Sequence, residues 1–379
     1  MLAELSERPM NFQWTSEQAL LRKTVRNLAQ KEFGPAAFQW DGVYPAANEK
    51  ILREQGLYGV SLPQEYGGGG LSLVEEVMVL EEVGKVCQDT AIALTLLGPP
   101  RIIAELGSEQ LCRKYLPPFC EEGRKIGIAI SESEAGSAVT ELRTKATTSG
   151  SKVVVDGEKV FISHAEICSA FLTFVRFEEG IGAVIVDKDA PGLEIGKPDI
   201  NMAGHCQYNL LFTACEIPEE NIVIRGKGGF EKLIRSFNSE RCLSAMWAVS
   251  IAESALDRAL VYAQQRKQFG RKLAEFQGLQ WMLAEMAMQT EAARLLTYQA
   301  AANPTRLNSS MAKAMASEMA ERVTSDALQI FGGTGYMKKH PLEYLYRLAR
   351  GRKIGAGTVE IQKNMIAREL LQNGLHRED

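Results

Sequence analysis

The period of the apolar residues changes twice along this chain, and that double change limits the folds open to it. Up to about residue 120 the pattern is helical. Thr15-Ser16-Glu17-Gln18 has the capping-box spacing that satisfies free N–H groups of a first turn, and Leu21, Val25 and Leu28 follow at helical intervals. Gly67-Gly68-Gly69-Gly70 breaks this pattern and reads as a flexible loop; Leu73 to Leu97 resumes it. From about 125 to 235, short β-branched and aromatic runs take over: Val153–Val155, Val160–Ser163, Phe171–Val175, Ala183–Val186 and Leu210–Phe212. Asp156-Gly157, Glu179-Gly180 and Pro191-Gly192 separate them as turns. Several short strands with no helix among them predict a compact antiparallel barrel or sandwich. From about 236 the helical period returns over 240–266, 277–302, 309–331 and 359–373, interrupted at Asn303-Pro304. Ala312, Met315, Met319, Val323 and Ala327 form one apolar face, with Lys313, Glu318 and Glu321 off it, as in an up-and-down four-helix bundle. The expected fold is therefore α+β and multi-domain, with N-terminal helices over 1–124, a β-domain over 125–235 and a bundle over 236–379.

Composition narrows the function. A net charge of -4 argues against nucleic acid or an anionic membrane as partner. No run approaches the 18 or so apolar residues of a membrane span, so no membrane insertion is expected. Met1–Met10 has two glutamates and no apolar core, unlike a secretory signal, and is not Arg-rich like a transit peptide. The seven cysteines are odd in number and form no C-x-x-C pair, which fits small buried residues in a reduced, cytoplasmic protein. The four histidines have no ligand spacing, so no metal site is expected.

Five segments could carry chemistry. Phe331-Gly332-Gly333-Thr334-Gly335-Tyr336 lets backbone approach a ligand closely, or simply caps a helix. Ile354-Gly355-Ala356-Gly357-Thr358 leads into a helix whose start would suit an anion, or is an ordinary loop and cap. Arg266-Lys267-Gln268-Phe269-Gly270-Arg271-Lys272 could grip a pyrophosphate and stack a ring, or be a solvated basic turn. Ser131–Ser137 offers hydroxyls and a glycine. Glu240, after Asn238-Ser239 and beside Arg241, reads on its own as an acid complementing the dipole of a first helical turn.

Taken together and in order, "AISESEAGS" (129–137), "DGEKVFISHA" (156–165), "QQRKQFGRKLAEFQ" (264–277), "LQIFGGTGY" (328–336) and "KIGAGTVEIQ" (353–362) resemble the acyl-CoA dehydrogenase family from about Met10 onward. The resemblance implies N-terminal helices, a middle β-barrel and a C-terminal four-helix bundle. It also implies FAD bound across an interface of a homotetramer or dimer. By motif, Ser131, Ser137, Phe161 and Ser163 would line the flavin in their own subunit, with Thr358 near the cofactor. Arg266 and Phe269 would reach the FAD of a neighbouring subunit, Gln329, Gly332 and Gly333 would contact the adenosine diphosphate part, and Gln277 would also bind the cofactor.

The implied reaction is α,β-dehydrogenation of an acyl thioester: a carboxylate takes the α-proton while hydride leaves Cβ for the flavin. Most members carry that base as a glutamate before Gly-Thr in the last loop, where this chain has Ala356. The isovaleryl- and long-chain-like branch places it before an arginine at the start of the first bundle helix. Glu240-Arg241 supplies that arrangement, so Glu240 is the expected base and Arg241 an expected substrate contact. Other positions depart from the family pattern: Ser133, Ala138, Phe161 for a tryptophan, His164 for an asparagine, His205 and Gln207 near a usual arginine, and Leu348 for an aspartate. The expected substrate is acyl-CoA or an acyl or aminoacyl group on a carrier protein, with an electron-transfer flavoprotein as acceptor. An oxygen-using flavin oxidase is a further alternative; a non-catalytic nucleic-acid binder or scaffold is argued against by the acidic balance.

Overall fold

The computed structural model describes residues 13–39, 43–95 and 98–374. Met1–Met10, and the last two residues of the Leu73–Leu97 run, lie outside that set. Thr15 does cap α1 (Ser16–Leu28), accepting from the Gln18 N–H while the Gln18 side chain accepts from Thr15 N–H. After α2 (Ala46–Glu54), the glycine run is tightly packed and not slack. A Cβ at Gly68 or Gly69 would lie 2.2 Å from the Leu62 carbonyl oxygen or 2.6 Å from that of Val60. The Leu73 run is divided at Cys87, whose extended backbone separates α3 (Leu73–Val86) from α4 (Gln88–Thr95). Next come α5 (Gly98–Leu106) and α6 (Glu109–Pro117).

The middle region holds β1 (Lys125–Ala129), β2 (Lys145–Ser149), β3 (Lys152–Ser163), β4 (Cys168–Phe177), β5 (Gly180–Asp187), β6 (Leu193–Ile195), β7 (Asp199–Ile200), β8 (Cys206–Pro218) and β9 (Ile222–Ile224). They form an open sheet in the order β6-β8-β3-β2-β4-β5-β9, with β1 on β4 and β7 on β8. It is sandwich-like and mixed, and neither a closed barrel nor wholly antiparallel. Leaving the N-terminal helices, β1 runs parallel to β4, and the β2–β3 hairpin lies between them in sequence. Along β4, Ala170, Leu172 and Phe174 enter one apolar core while Phe171, Val175 and Phe177 enter another. Burial on both faces explains why this strand reads as a continuous apolar run.

The last region contains α7 (Gly229–Gln265), a short hairpin of β10 (Lys267–Gln268) and β11 (Arg271–Lys272), α8 (Gln277–Ala302), α9 (Arg306–Phe331), α10 (Pro341–Arg352) and α11 (Val359–Asn373). Two expectations change here. The first bundle helix begins at Gly229, not near 240, so Glu240 lies roughly three turns inside it and does not answer the helix dipole. The polar pair Asn238-Ser239, which suggested a start, is buried mid-helix, with Asn238 donating to the Pro304 carbonyl at 2.8 Å. Second, Lys313 is fully buried, while Met315 is partly exposed. α3 packs along α7, joining Val77, Leu80 and Val83 to Cys242, Met246 and Val249 in the largest core. Six of the seven cysteines are buried. Among the described residues no helix is long and apolar enough to cross a membrane.

Candidate active site

α7 brings Glu240 under the first turn of α5. The contact is so close that a Cβ on Gly98 would lie 2.6 Å from the Glu240 carboxyl carbon and 2.6 Å from Oε2. Glu240 Oε1 is buried and has no hydrogen-bond partner. The neighbouring cation, Arg101, is committed elsewhere: it pairs with Glu76 of α3 and donates to Ser61 Oγ at 2.9 Å. Burial raises the Glu240 pKa, the Arg101 charge opposes that, and Glu76 and Glu105 push it up again, to about 7. The result is a carboxyl group with an unpartnered buried oxygen and a proton affinity raised towards neutrality.

Arg241, the next residue, turns to another face of the helix. It is buried and donates to Asn238 Oδ1 at 2.6 Å. Asn238 lines a cavity of about 290 Å³ with Arg235, Pro304, Thr305 and Arg306. Successive helical residues differ by about 100°, which puts Asn238 and Arg235 on the far side of α7 from Glu240. The fold does not bring Arg241 and Glu240 to one spot.

The serine and aromatic candidates of the β-region gather along one rim. Pairing of β3 with β8 slips by one residue between Lys159 and Ile162, and Phe161 lies in that bulge with φ +61° and 71% exposed. A bulge re-aims a side chain, here turning an aromatic ring outward where the strand would have buried it. Ser131 accepts the Val160 N–H through its carbonyl at 2.8 Å, and Ser163 Oγ donates to Gln207 Oε1 at 3.1 Å. Ser137 is exposed in the turn beyond Ser131. Sequence reasoning missed the support beneath this rim. Lys159, fully buried, donates to the Ile130 carbonyl at 2.9 Å and to Glu132 at 2.8 Å, while Glu132 also accepts the Arg143 and Thr144 N–H groups. The signal was a Lys and a Glu inside the two matched motifs.

The end of α10 also approaches α7. The Arg352 guanidinium lies 3.8 Å from the ring centre of Trp247, roughly two turns along from Glu240. Buried Lys313 donates to the carbonyls of Arg352 and Gly357 at 2.9 and 2.7 Å, and Gln362 donates to those of Ala356 and Gly357. Ala356 is exposed with φ +56°, and Thr358 caps α11 by accepting the Ile361 N–H at 3.3 Å. Between the β-region and the helices, His205 Nε2 lies 3.2 Å from the Tyr344 hydroxyl, which donates to Asp89 at 2.5 Å. His205 and Leu348 both depart from the family pattern. Leu348 follows Tyr344 by one turn on α10, so both departures fall at this seam.

The basic and glycine-rich candidates sit elsewhere. Arg266 ends α7, about 39 Å along the helix from Glu240. Phe269, at the hairpin tip with φ +53°, is 93% exposed, and Gln277 opens α8 on the surface. Tyr262 stacks on Phe331 at 3.9 Å, which brings the end of α7 against the end of α9, where Gln329, Gly332 and Gly333 are exposed. Nothing lies within 4 Å of a Cβ built on either glycine. The basic and glycine-rich candidates thus lie together at the C-terminal end of α7, well removed from Glu240.

Family models for the acyl-CoA dehydrogenase N-terminal, middle and C-terminal domains match residues 15–123, 127–215 and 227–371 in succession. The chain belongs to the acyl-CoA dehydrogenase family. It is 37% identical over 380 residues to an acryloyl-CoA reductase (NADH) of Anaerotignum propionicum, covering 96% of each chain. Among solved structures, the butyryl-CoA dehydrogenase of Megasphaera elsdenii superposes with a TM-score of 0.89 at 30% identity, over 96% of this chain and all of that one. A prolyl acyl carrier protein oxidase, AnaB, superposes with a TM-score of 0.88 at 28% identity, over 94% of this chain and all of that one. Members of the acyl-CoA dehydrogenase family are FAD-dependent oxidoreductases acting on CH–CH groups, and this chain has the features to hold that cofactor. An aromatic ring is turned outward by a bulge, flanking hydroxyls line the same rim, and two glycines leave open surface at the bundle end.

Proposed function

We propose that this acyl-CoA dehydrogenase family member removes hydrogen across Cα–Cβ of an acyl thioester, with Glu240 as the base that takes the α-proton. The observation that carries this is the Glu240 carboxylate: it is held on a long helix, lacks a hydrogen-bond partner, and has a proton affinity lifted towards neutrality. A carboxylate satisfied by N–H donors would be a weak base. Ala356, at the alternative position, has no group that accepts a proton. FAD, when bound, would supply the acceptor for the hydride that leaves Cβ. Ser131, Ser137, Phe161 and Ser163 would face the flavin, and Thr358 would approach it from the helical side.

Arg266, Phe269, Gln277, Gln329, Gly332 and Gly333 would serve the FAD of a second copy. The span of α7 supports this, since one dinucleotide does not reach from Glu240 to Arg266. On α8, Trp281, Met288 and Leu295 repeat every seven residues and are all exposed, an apolar row suited to a homotetramer or dimer. The substrate handle is coenzyme A, and an electron-transfer flavoprotein would take the electrons onward.

The test is anaerobic mixing of the flavin-loaded protein with acyl-CoA and acyl-carrier-protein thioesters, reading flavin bleaching in wild type and Glu240→Gln. Bleaching by acyl-CoA, lost in the variant, is the expected result. Bleaching only by carrier-bound groups would move the handle to a carrier protein. Bleaching that survives in Glu240→Gln would remove Glu240 as base, and a flavin that no thioester bleaches would remove the dehydrogenase reading.

A further inference from the structure

Glu240 is held by a turn that departs from ordinary helix chemistry. α5 opens Gly98-Pro99-Pro100-Arg101, and these four residues are buried. A helix start normally presents free N–H groups, and a carboxylate beside one takes hydrogen bonds from them. Here two of those positions are prolines, which have no N–H. The one residue without a side chain, Gly98, lies where the carboxylate packs. Arg101 follows one turn on, its charge held by Glu76 and Ser61. Arg101 Nε, Glu76 Oε1 and Glu240 Oε1 are all buried without partners.

We infer that Gly98, Pro99, Pro100 and Arg101, with Glu76, are positioning residues that keep the Glu240 carboxylate free of hydrogen bonds and aimed into the site. Gly98 supplies the room. The prolines withhold the donors that would quench the base. Glu76 draws Arg101 into a pair and prevents it from becoming a direct counter-ion of Glu240. The charged groups facing Glu240 are Arg101 and Glu105 from α5 and Glu76 from α3; its neighbour Arg241 turns away to Asn238. The inference rests on Glu240 being the base, and its test keeps the two apart.

The holoenzyme is titrated by infrared difference spectroscopy, the Glu240 carboxyl band being assigned by its absence in Glu240→Gln. The acid limb of kcat/KM is recorded beside it, and flavin content checks folding. Restoring donors with Pro99→Ala/Pro100→Ala should move the Glu240 titration to lower pH by on the order of one pH unit. Glu76→Gln should move it the same way, because Arg101 is freed to act on Glu240. Arg101→Met should move it to higher pH, and Arg101→Lys should return it towards wild type. Opposite shifts from one turn are not what general loosening produces. Gly98→Ala, whose methyl occupies the carboxylate's place, should lower kcat at least about tenfold with KM and flavin content little changed.

If the band stays in place in the proline variant and in Arg101→Met, or moves the same way in both, the inference is overturned. If the band moves as expected while the acid limb of kcat/KM does not follow, the turn sets Glu240 as described and Glu240 is not the base.

Discussion

Glu240 on α7 and Ala356 in the loop after α10 occupy two alternative seats for a proton acceptor, and the two seats are built differently. Glu240 projects from the fourth turn of a 37-residue helix, so backbone hydrogen bonds already fix its Cα, and only the carboxylate needs placing. Ala356 sits on a loop at φ +56°, a conformation that costs about 1 kcal/mol or more for a residue with a Cβ, and three hydrogen bonds from two side chains, Lys313 and Gln362, hold its carbonyl and that of Gly357. The loop is over-determined for an alanine. What differs is where rigidity comes from: a helix supplies it locally, whereas a loop must borrow it from a buried lysine on another helix. The chain keeps the second scaffold while its carboxylate resides on the first.

The most direct way to break this contrast is to move the carboxylate. Glu240→Gln should lower the rate of flavin reduction roughly 10²–10⁴-fold, and adding Ala356→Glu should recover part of that, on the order of tenfold, by stopped-flow absorbance. No recovery would mean the loop no longer addresses the reacting carbon. Next in size is pH. The base works ionised, so kcat/KM should be level above about pH 7 and fall about tenfold per pH unit below it. Glu240→Gln/Ala356→Glu should lose activity at lower pH than wild type, because the exposed loop does not bury its carboxylate.

Lys313→Met sharpens the contrast from the loop side. It removes the charged donor from the Arg352 and Gly357 carbonyls, leaving only Ser317 and Gln362 to serve them, and should destabilise the fold by about 1–3 kcal/mol in thermal melts. Glu240→Gln should act the opposite way on stability. Because the folded pKa of Glu240 lies above its unfolded value, the stability linked to its proton is full below pH 4.5 and is lost as pH rises through about 7. The Gln variant should therefore melt higher than wild type at pH 8, by on the order of a degree or two, with the difference gone near pH 5. Smallest is Ala356→Gly, which relieves the positive φ at the cost of a freer unfolded chain and should change stability by about 1 kcal/mol or less, measured by denaturant titration.

Much of the architecture was legible because it depends on local rules. Thr15 and Gln18 cap α1 through contacts three residues apart, and Gly180 and Gly192 separate strands through their own backbone freedom, whereas Asp156-Gly157 makes no turn: β3 runs through it with only a slip in its pairing to β8. Two further local signals misled. Asn238-Ser239 looks like a helix start, but Asn238 has a partner in the Pro304 carbonyl, which is distant in sequence, and the helix runs through it. Lys313 lies outside the apolar face counted on α9, yet it is buried because the Arg352 and Gly357 carbonyls meet its ammonium group. In both cases a long-range hydrogen bond overrode a residue's ordinary preference for solvent or for a cap.

The sequence by itself determined the order of helices and strands, through residue type and spacing, and five motifs in order carried the family; it was the resemblance to that family that singled out Glu240 over Ala356 as candidate base. Only the tertiary structure decided the condition of that carboxylate. Gly98, Arg101 and Glu76 meet Glu240 through the packing of α5 and α3 on α7. Proton affinity is set by the desolvation and charges that such packing brings within a few ångströms, and no spacing along the chain encodes them.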